Sequence, residues 1–352
     1  MRLSEIDKNL EVVSKIERED LVWLNAAEAP FKIYGAVSCD PYLRLPLEEA
    51  EKVSPGVLAL ARHTSGVRVR FKTNSPYIAI HCEWDVYGAM PHMPVTGSSG
   101  FDIYKYINGE QKFLGTFVPP FNADKGYESI RDFGGEMTEY IINFPLYNKV
   151  DNLYIGVSRD AEFETPSEYR NSLPVIYYGS SITQGGCASR PGNCYQNFIS
   201  RMFDIDYVNL GFSGSGRGED EIIEYLASLP MSVFVSDYDH NTPTIEHLSV
   251  SHYKLYRTVR ERHPDIPYVM LSAPDYKVGN ADFDTKRGII MNTFIRAKQE
   301  GDKNVYFIDG ASLFADDEWL ACTVDGIHPN DLGFYRFAKA MYPVMKTIFC
   351  KL

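Results

Sequence analysis

Two short stretches, far apart in the chain, hold residue types that together can cleave an ester. The first reads VIYYGSSITQGG from Val175 to Gly186, an apolar run followed by a glycine and two adjacent serines. A serine at a tight turn behind a buried strand is exposed where it can attack a carbonyl, provided a base takes its proton. Ordinary Gly-Ser-Ser turn chemistry explains the same residues with no reaction at all. Nor is this a G-x-S-x-G elbow, because Thr183 stands where the second glycine would be. The second stretch, VDGIHPNDLG, sets Asp325 three residues before His328. At that spacing the carboxylate can hold the imidazole Nδ1 proton while Nε2 faces a hydroxyl. The competing reading is an Asp-Gly turn leading into a helix capped by Asn330 or Asp331. Serine, histidine and aspartate together carry more weight than either stretch alone.

Attack on a carbonyl creates an oxyanion, which needs hydrogen-bond donors. NLGFSGSG offers the Gly214 backbone N–H from a loop able to approach substrate closely, and DYDHN offers the Asn241 side-chain amide. These stretches need elements that bring them to one edge. After Pro174 the apolar runs VIYY, YVNLG, SVFVSD, YVMLSA and NVYFID alternate with helical patterns starting near Cys194, Glu219, Thr244 and Asp284 and after Asn330. That rhythm predicts a parallel sheet covered on both faces, with its chemistry at the carboxyl ends of the strands.

Ahead of this region the text changes. From about Tyr34 to Val157 it runs through GVRVRFKT, YIAIHCEW, FDIYKYI, KFLGTFV, TEYIINFP and NLYIGV, each rich in β-branched and aromatic residues. Asn-Gly inside YINGEQKF signals a type I′ hairpin. Val67, Val69 and Phe71 alternate with Arg68, Arg70 and Lys72, which predicts one buried and one wet face for that strand. An antiparallel β-sandwich follows. The polar stretch RDAEFETPSEYRNSLP marks the boundary. The expected division is therefore a sandwich over 1–165 and an α/β domain over 172–352.

Glycine-serine after the first parallel strand, a serine-glycine loop after the second, an asparagine after the third and D-x-x-H before the last helix together resemble the SGNH, or GDSL-type, hydrolases. The resemblance covers the chain from about Pro174 onward. It implies a flavodoxin-like α/β/α domain with five parallel strands. It further implies Ser181 as nucleophile and oxyanion donor through its own N–H, Gly214 and Asn241 as the other donors, and His328 as base oriented by Asp325. No metal or organic cofactor is implied. Ser180 replaces the usual aspartate of G-D-S, and DYDHN lacks the usual glycine before and aspartate after its asparagine, so Asp239 or His240 are alternatives for part of that block. In the first half, GFDIY from Gly100 to Tyr104 resembles the G-x-D-L-Y motif of a jelly-roll-like β-sandwich module that precedes such domains. The expectation is a serine esterase acting on a small acyl ester, acetyl above all, of a carbohydrate or other polar alcohol. Acyl transfer by the same residues and a carbohydrate-binding protein with an idle hydrolase domain are the alternatives.

Composition narrows the partners. Of 352 residues 44% are hydrophobic and 23% charged, enough apolar content for a sizeable core. A net charge of −12 with no basic stripe argues against nucleic acid. No apolar stretch nears membrane-spanning length, and the opening MRLSEIDKNLEVV lacks the pattern of a leader. The expected setting is cytoplasmic. Six cysteines without a CxxC pair fit a reduced compartment, with a Cys187–Cys194 bridge as the alternative. Asp237, Asp239 and His240 in DYDHN suggest a metal cluster only weakly, since carboxylates at a strand end are commonly loop polar groups. The long loop WDVYGAMPHMPVTGSSG is either an exposed crossover or a wall of the substrate pocket, bringing Trp84 and His92 to it. Arg190 in GGCASRPGN is either a surface arginine or a partner for a polar substrate group.

Overall fold

Asn108 and Gly109 both take positive φ, 53° and 85°, the conformation of a type I′ turn. The strands they join, β7 (Phe101–Ile107) and β8 (Glu110–Phe117), pair antiparallel with Ile107 opposite Glu110. This hairpin belongs to a computed structural model that describes residues 16–120, 123–274, 281–314 and 319–351. The opening stretch read for a leader lies outside the described residues.

The other strands of the first half are β1 (Leu21–Asn25), β2 (Lys32–Tyr34), β3 (Ser38–Cys39), β4 (Tyr42–Leu43), β5 (Arg68–Thr73), β6 (Tyr77–Glu83), β9 (Gly126–Asp132), β10 (Thr138–Asn143), β11 (Asn152–Ser158) and β12 (Phe163–Glu164). They form one sheet in the order β1-β11-β6-β9 and a second in the order β12-β5-β10-β7-β8, with β2 also on β5. Val69, Phe71, Ile80, Ile103, Ile142 and Ile155 from the two sheets meet in a common core. β1 to β4, β9 and β12 lie outside the stretches that the sequence marks as strands.

Of the face of β5 expected to be wet, only Lys72 reaches solvent, with 31% of its side chain exposed. Arg68 is 1% exposed and Arg70 0%. Arg68 pairs with Asp206 and donates to the Tyr207 carbonyl at 3.1 Å, while Arg70 pairs with Glu139 and lies 4.2 Å from the Tyr106 ring centroid. The α/β half covers the strand at Arg68, and both arginines are buried against partners rather than hydrated.

The second half follows the expected alternation. Strands β13 (Val175–Gly179), β14 (Tyr207–Gly211), β15 (Val233–Asp237), β16 (Tyr268–Leu271) and β17 (Val305–Ile308) form a parallel sheet ordered β14-β13-β15-β16-β17. The order reverses between β13 and its two neighbours, the switch point where α/β sheets open a crevice. Helices in chain order are α1 (Leu47–Val53), α2 (Pro55–Leu60), α3 (Val95–Ser98), α4 (Ser181–Gln184), α5 (Tyr195–Phe203), α6 (Asp220–Ser228), α7 (Ile245–Arg262), α8 (Ala281–Gln299) and α9 (Asp331–Phe349). Val175, Tyr177 and Val235 face the layer with α5 and α9, while Ile176, Tyr178 and Phe234 face the layer with α6, α7 and α8. Leu45, Ala50, Val57 and Ala61, from α1, α2 and their flanks, join that second layer. Residues ahead of β5 thus help to build the core of the α/β half. Among the described residues no helix is long and apolar enough to cross a membrane.

Candidate active site

β13 ends at Gly179, where a Cβ would come within 2.0 Å of Thr183 Oγ1 and 2.2 Å of the Asp237 carbonyl. Only glycine allows this close return of the chain. Ser180 then caps α4, its hydroxyl accepting from the Ile182 N–H at 3.2 Å. The serine that stands in place of aspartate therefore serves as the helix N-cap. Ser181 is the first residue of that helix. Its Oγ lies 2.9 Å from His328 Nε2, and His328 Nδ1 lies 2.7 Å from Asp325 Oδ2.

Asp325 does more than hold the ring. Its Oδ1 accepts the backbone N–H groups of Ile327 at 3.0 Å and His328 at 2.7 Å. Partial burial acts to raise this carboxyl, but the His328 N–H, the His328 ring and the Ile327 N–H outweigh it and hold the group at about 2. The turn and helix cap considered from the sequence are present as well, since Asn330 Oδ1 accepts from the Gly333 N–H at 3.1 Å and caps α9. One loop accommodates both readings.

The oxyanion candidates sit at neighbouring strand ends. Gly214 has φ +67°, and a Cβ there would meet nothing within 4 Å, so its loop faces open space. Neither the Ser181 nor the Gly214 N–H donates to a protein acceptor among the described residues. Asn241 Nδ2 donates to the Phe212 carbonyl at 3.0 Å, which ties this side chain to the Gly214 loop. Asp239 is buried, with Oδ2 accepting from the Ala273 N–H at 2.8 Å. Burial, with the Lys286 and His328 charges, pushes the His240 imidazole down to about 3 and keeps it neutral.

Sequence reasoning missed the residues beneath the serine. Gln184 Oε1 accepts from the Ser213 N–H at 2.9 Å, and its Nε2 donates to the Leu146 carbonyl at 3.2 Å. Tyr147 donates its hydroxyl to the Ser181 carbonyl at 3.1 Å. Arg44, fully buried, donates to the carbonyls of Asn209 at 2.8 Å and Gly211 at 2.9 Å, the strand end that leads to the Gly214 loop. Their partners lie too far away in sequence for any local pattern to reveal them. Gln184, next to the GSSIT stretch, carried the nearest thing to a signal.

The remaining sequence candidates part company. The loop ahead of α3 brings Pro91, His92, Met93 and Pro94 beside Cys187, Val324 and Leu332, around a cavity of about 570 Å³. His92 is exposed, with its ring centroid 5.9 Å from that of His328. Trp84 is 2% exposed and belongs to the sandwich core, its Nε1 donating to the Ala123 carbonyl at 2.5 Å. Arg190 is neither a surface residue nor among those lining the cavity. Its guanidinium pairs with Asp102 at 2.8 Å, bonds Tyr104 and lies 3.8 Å from the Phe113 ring centroid. Asp102 and Tyr104 are the polar residues of GFDIY, and Asp102 Oδ2 also accepts the Gly192 N–H at 2.8 Å. That motif fastens the sandwich to the loop that follows the serine. All six cysteines are free, so Cys187 and Cys194 form no bridge.

The comparisons with known proteins follow this architecture. Residues 172–346 match the GDSL-like lipase/acylhydrolase family, and residues 21–163 match the N-terminus of SGNH-hydrolase-type esterases. Curated protein sequences give no match. Among solved structures, a protein from Bacteroides ovatus ATCC 8483 described as a GDSL-like lipase is 28% identical, with TM-score 0.84 over 94% of this chain and 98% of its own. The salicylyl-acyltransferase SsfX3 from a tetracycline biosynthetic pathway is 21% identical, with TM-score 0.78 over 94% of this chain and 98% of its own. A family two carbohydrate esterase from Clostridium thermocellum is 12% identical, with TM-score 0.60 over 82% of this chain and 94% of its own. The chain belongs to the GDSL-like lipase/acylhydrolase family of SGNH-type enzymes, which act on carboxylic esters.

Proposed function

We propose that this chain is a serine esterase that removes a small acyl group, acetyl above all, from a carbohydrate or other polar alcohol through an acyl-enzyme intermediate. The observation that carries the reading is the line Ser181 Oγ, His328 Nε2, His328 Nδ1, Asp325 Oδ2, with contacts of 2.9 and 2.7 Å. Along it His328 takes the hydroxyl proton as Ser181 Oγ bonds to the carbonyl carbon, and Asp325 stabilises the imidazolium. The carbonyl oxygen, now negative, receives hydrogen bonds from the Ser181 and Gly214 N–H groups and the Asn241 amide. Collapse breaks the bond to the alcohol oxygen, which takes the proton from His328. Water then repeats the sequence and releases the acid.

The leaving alcohol belongs on the His328 side of Ser181, because His328 must hand it a proton, and the cavity lined by His92, whose ring centroid lies 5.9 Å from that of His328, is the place proposed for it. Its wall of Pro91, Met93, Val324 and Leu332 suits the apolar face of a sugar ring. The same wall favours a second reading, acyl transfer, in which an organic alcohol held there replaces water.

Hydrolysis of p-nitrophenyl acetate, butyrate and octanoate by the protein and by Ser181→Ala tests the proposal. Turnover that prefers acetate and falls about 10⁴-fold or more in the variant supports it. Equal turnover by both proteins excludes Ser181 as nucleophile. New ester in preference to free acid, when an alcohol acceptor is added, selects transfer.

A further inference from the structure

One grouping of side chains joins His328 to two residues that have no part in ester cleavage as described. His92, Cys187 and His328 offer ligand atoms that all lie within 4.8 Å of one another, the one such group of three His, Cys, Asp or Glu found among the described residues. They come from three separate places: the loop of the sandwich half, the turn after α4 and the loop before α9. Cys187 Sγ points toward the His92 backbone, donating to its carbonyl at 3.4 Å. Cys187 also takes φ +77°, in the left-handed region, although the two residues before it are glycines. A side chain held there against backbone preference is a reason to look for a role.

We infer that His92, Cys187 and His328 form a site for a thiophilic transition-metal ion, and that the bound ion switches the enzyme off. Two imidazoles and one thiolate suit Zn²⁺, Co²⁺ or Cu⁺ and are wrong for Mg²⁺ or Ca²⁺. Tetrahedral zinc, with bonds of about 2.0 Å to nitrogen and 2.3 Å to sulfur, separates its ligand atoms by roughly 3.3 to 3.7 Å. Closing the present arrangement to that geometry asks about 1 Å of movement, within reach of a side-chain rotation. The exposed His92 is free to make it.

The inhibitory effect follows from which nitrogen is open. His328 Nδ1 is engaged by Asp325 at 2.7 Å, so Nε2 must ligate. That nitrogen is the one 2.9 Å from Ser181 Oγ. A metal there removes the base from the nucleophile, and the Asp325 carboxylate behind the ring strengthens the ligand as carboxylates behind metal-bound histidines do. On binding, the metal–sulfur bond forms as the thiol proton passes to buffer, the two metal–nitrogen bonds form, and the Ser181 hydrogen bond breaks. The fourth position is left to water or to Ser181 Oγ.

The switch rests on the esterase reading, but the coordination does not, and the test separates them. Protein stripped with EDTA is titrated with Zn²⁺ by calorimetry and with Co²⁺ by absorption, alongside turnover of p-nitrophenyl acetate. The expected results are one Zn²⁺ per chain and reversible loss of turnover. Co²⁺ should give the intense visible bands of four-coordination and a near-ultraviolet thiolate charge-transfer band. Cys187→Ser should abolish that band, and both Cys187→Ser and His92→Ala should weaken Zn²⁺ binding by about tenfold or more. His92 is exposed, so its variant is expected to fold. A weak six-coordinate Co²⁺ spectrum, or Zn²⁺ affinity unchanged in both variants, overturns the site. Normal metal binding with turnover unaffected overturns the switch alone, and absence of turnover in metal-free protein counts against the esterase reading while the spectra still decide the site.

Discussion

The Tyr147 hydroxyl, carried on the segment between β10 and β11 of the sandwich, donates a 3.1 Å hydrogen bond to the backbone carbonyl of Ser181. The sandwich is thereby part of the floor on which the serine stands. Arg44 and Gln184 extend that floor. Arg44 holds the end of β14 through two carbonyls, and Gln184 bridges Leu146 of the first half to Ser213 of the Gly214 loop.

Tyr147→Phe keeps the ring and deletes one buried hydrogen bond. A loss of about 1 kcal/mol in stability is expected. If the bond fixes the turn that carries Ser181, kcat should fall a few-fold with KM little changed. Thermal melting and steady-state kinetics measure both, and an unchanged kcat would make Tyr147 a packing residue only.

Gln184→Ala leaves the Ser213 N–H, the Leu146 carbonyl and His63 Nδ1 without their partner. Stability should drop by roughly 2 to 4 kcal/mol, the cost of leaving these buried and partly buried groups unsatisfied. Because Ser213 adjoins Gly214, kcat should fall more than KM rises. Gln184→Glu keeps the Oε1 acceptor for Ser213, so recovery of kcat in that variant would mark the loop contact as the important one.

Asp325→Asn should lower kcat by roughly 10³- to 10⁴-fold, the effect of disturbing a histidine's tautomer and orientation. Stability carries a separate signature. Asp325 is held at about 2 in the folded chain, below the value of about 3.9 for an unfolded aspartate. Its contribution is therefore fully present above the unfolded value and is lost as pH falls through the folded one. The difference in melting temperature between the protein and Asp325→Asn should be constant above about pH 5 and shrink between about pH 4 and 2. A difference as large at pH 2 as at pH 6 would refute the assignment.

Arg190→Ala should damage the fold rather than recognition. Asp102 is 0% exposed and keeps only the Asn143 amide and the Gly192 N–H once the guanidinium is gone. Leaving that carboxylate without its cation should cost about 3 kcal/mol. KM for a neutral ester should be unaltered, and a rise in KM without loss of melting temperature would return Arg190 to the substrate.

Much of this molecule was legible because short-range patterns are local physics. Runs of β-branched and aromatic residues bounded by turn residues marked β5 to β8, β10 and β11, the longer strands of the sandwich apart from β1 and β9, and Asn108-Gly109 marked its hairpin. Near-continuous apolar runs separated by capped helical patterns marked the parallel sheet. Ser181, Asp325 and His328, the residues proposed as nucleophile, orienting acid and base, could be singled out by residue type and spacing, and the structure brings them within hydrogen-bond distance. Alternation in β5 failed for a reason of the same kind: it reports which side chains are apolar and says nothing of what covers the others. Arg68 and Arg70 are buried because Asp206 and Glu139 come to meet them. Tyr147 under Ser181, His92 beside Cys187, and Arg190 on Asp102 likewise depend on segments remote in the chain being packed together. The sequence by itself determined the elements and the reactive types; the surroundings of those groups were decided by tertiary structure, because burial and pairing belong to neighbours that no local window contains.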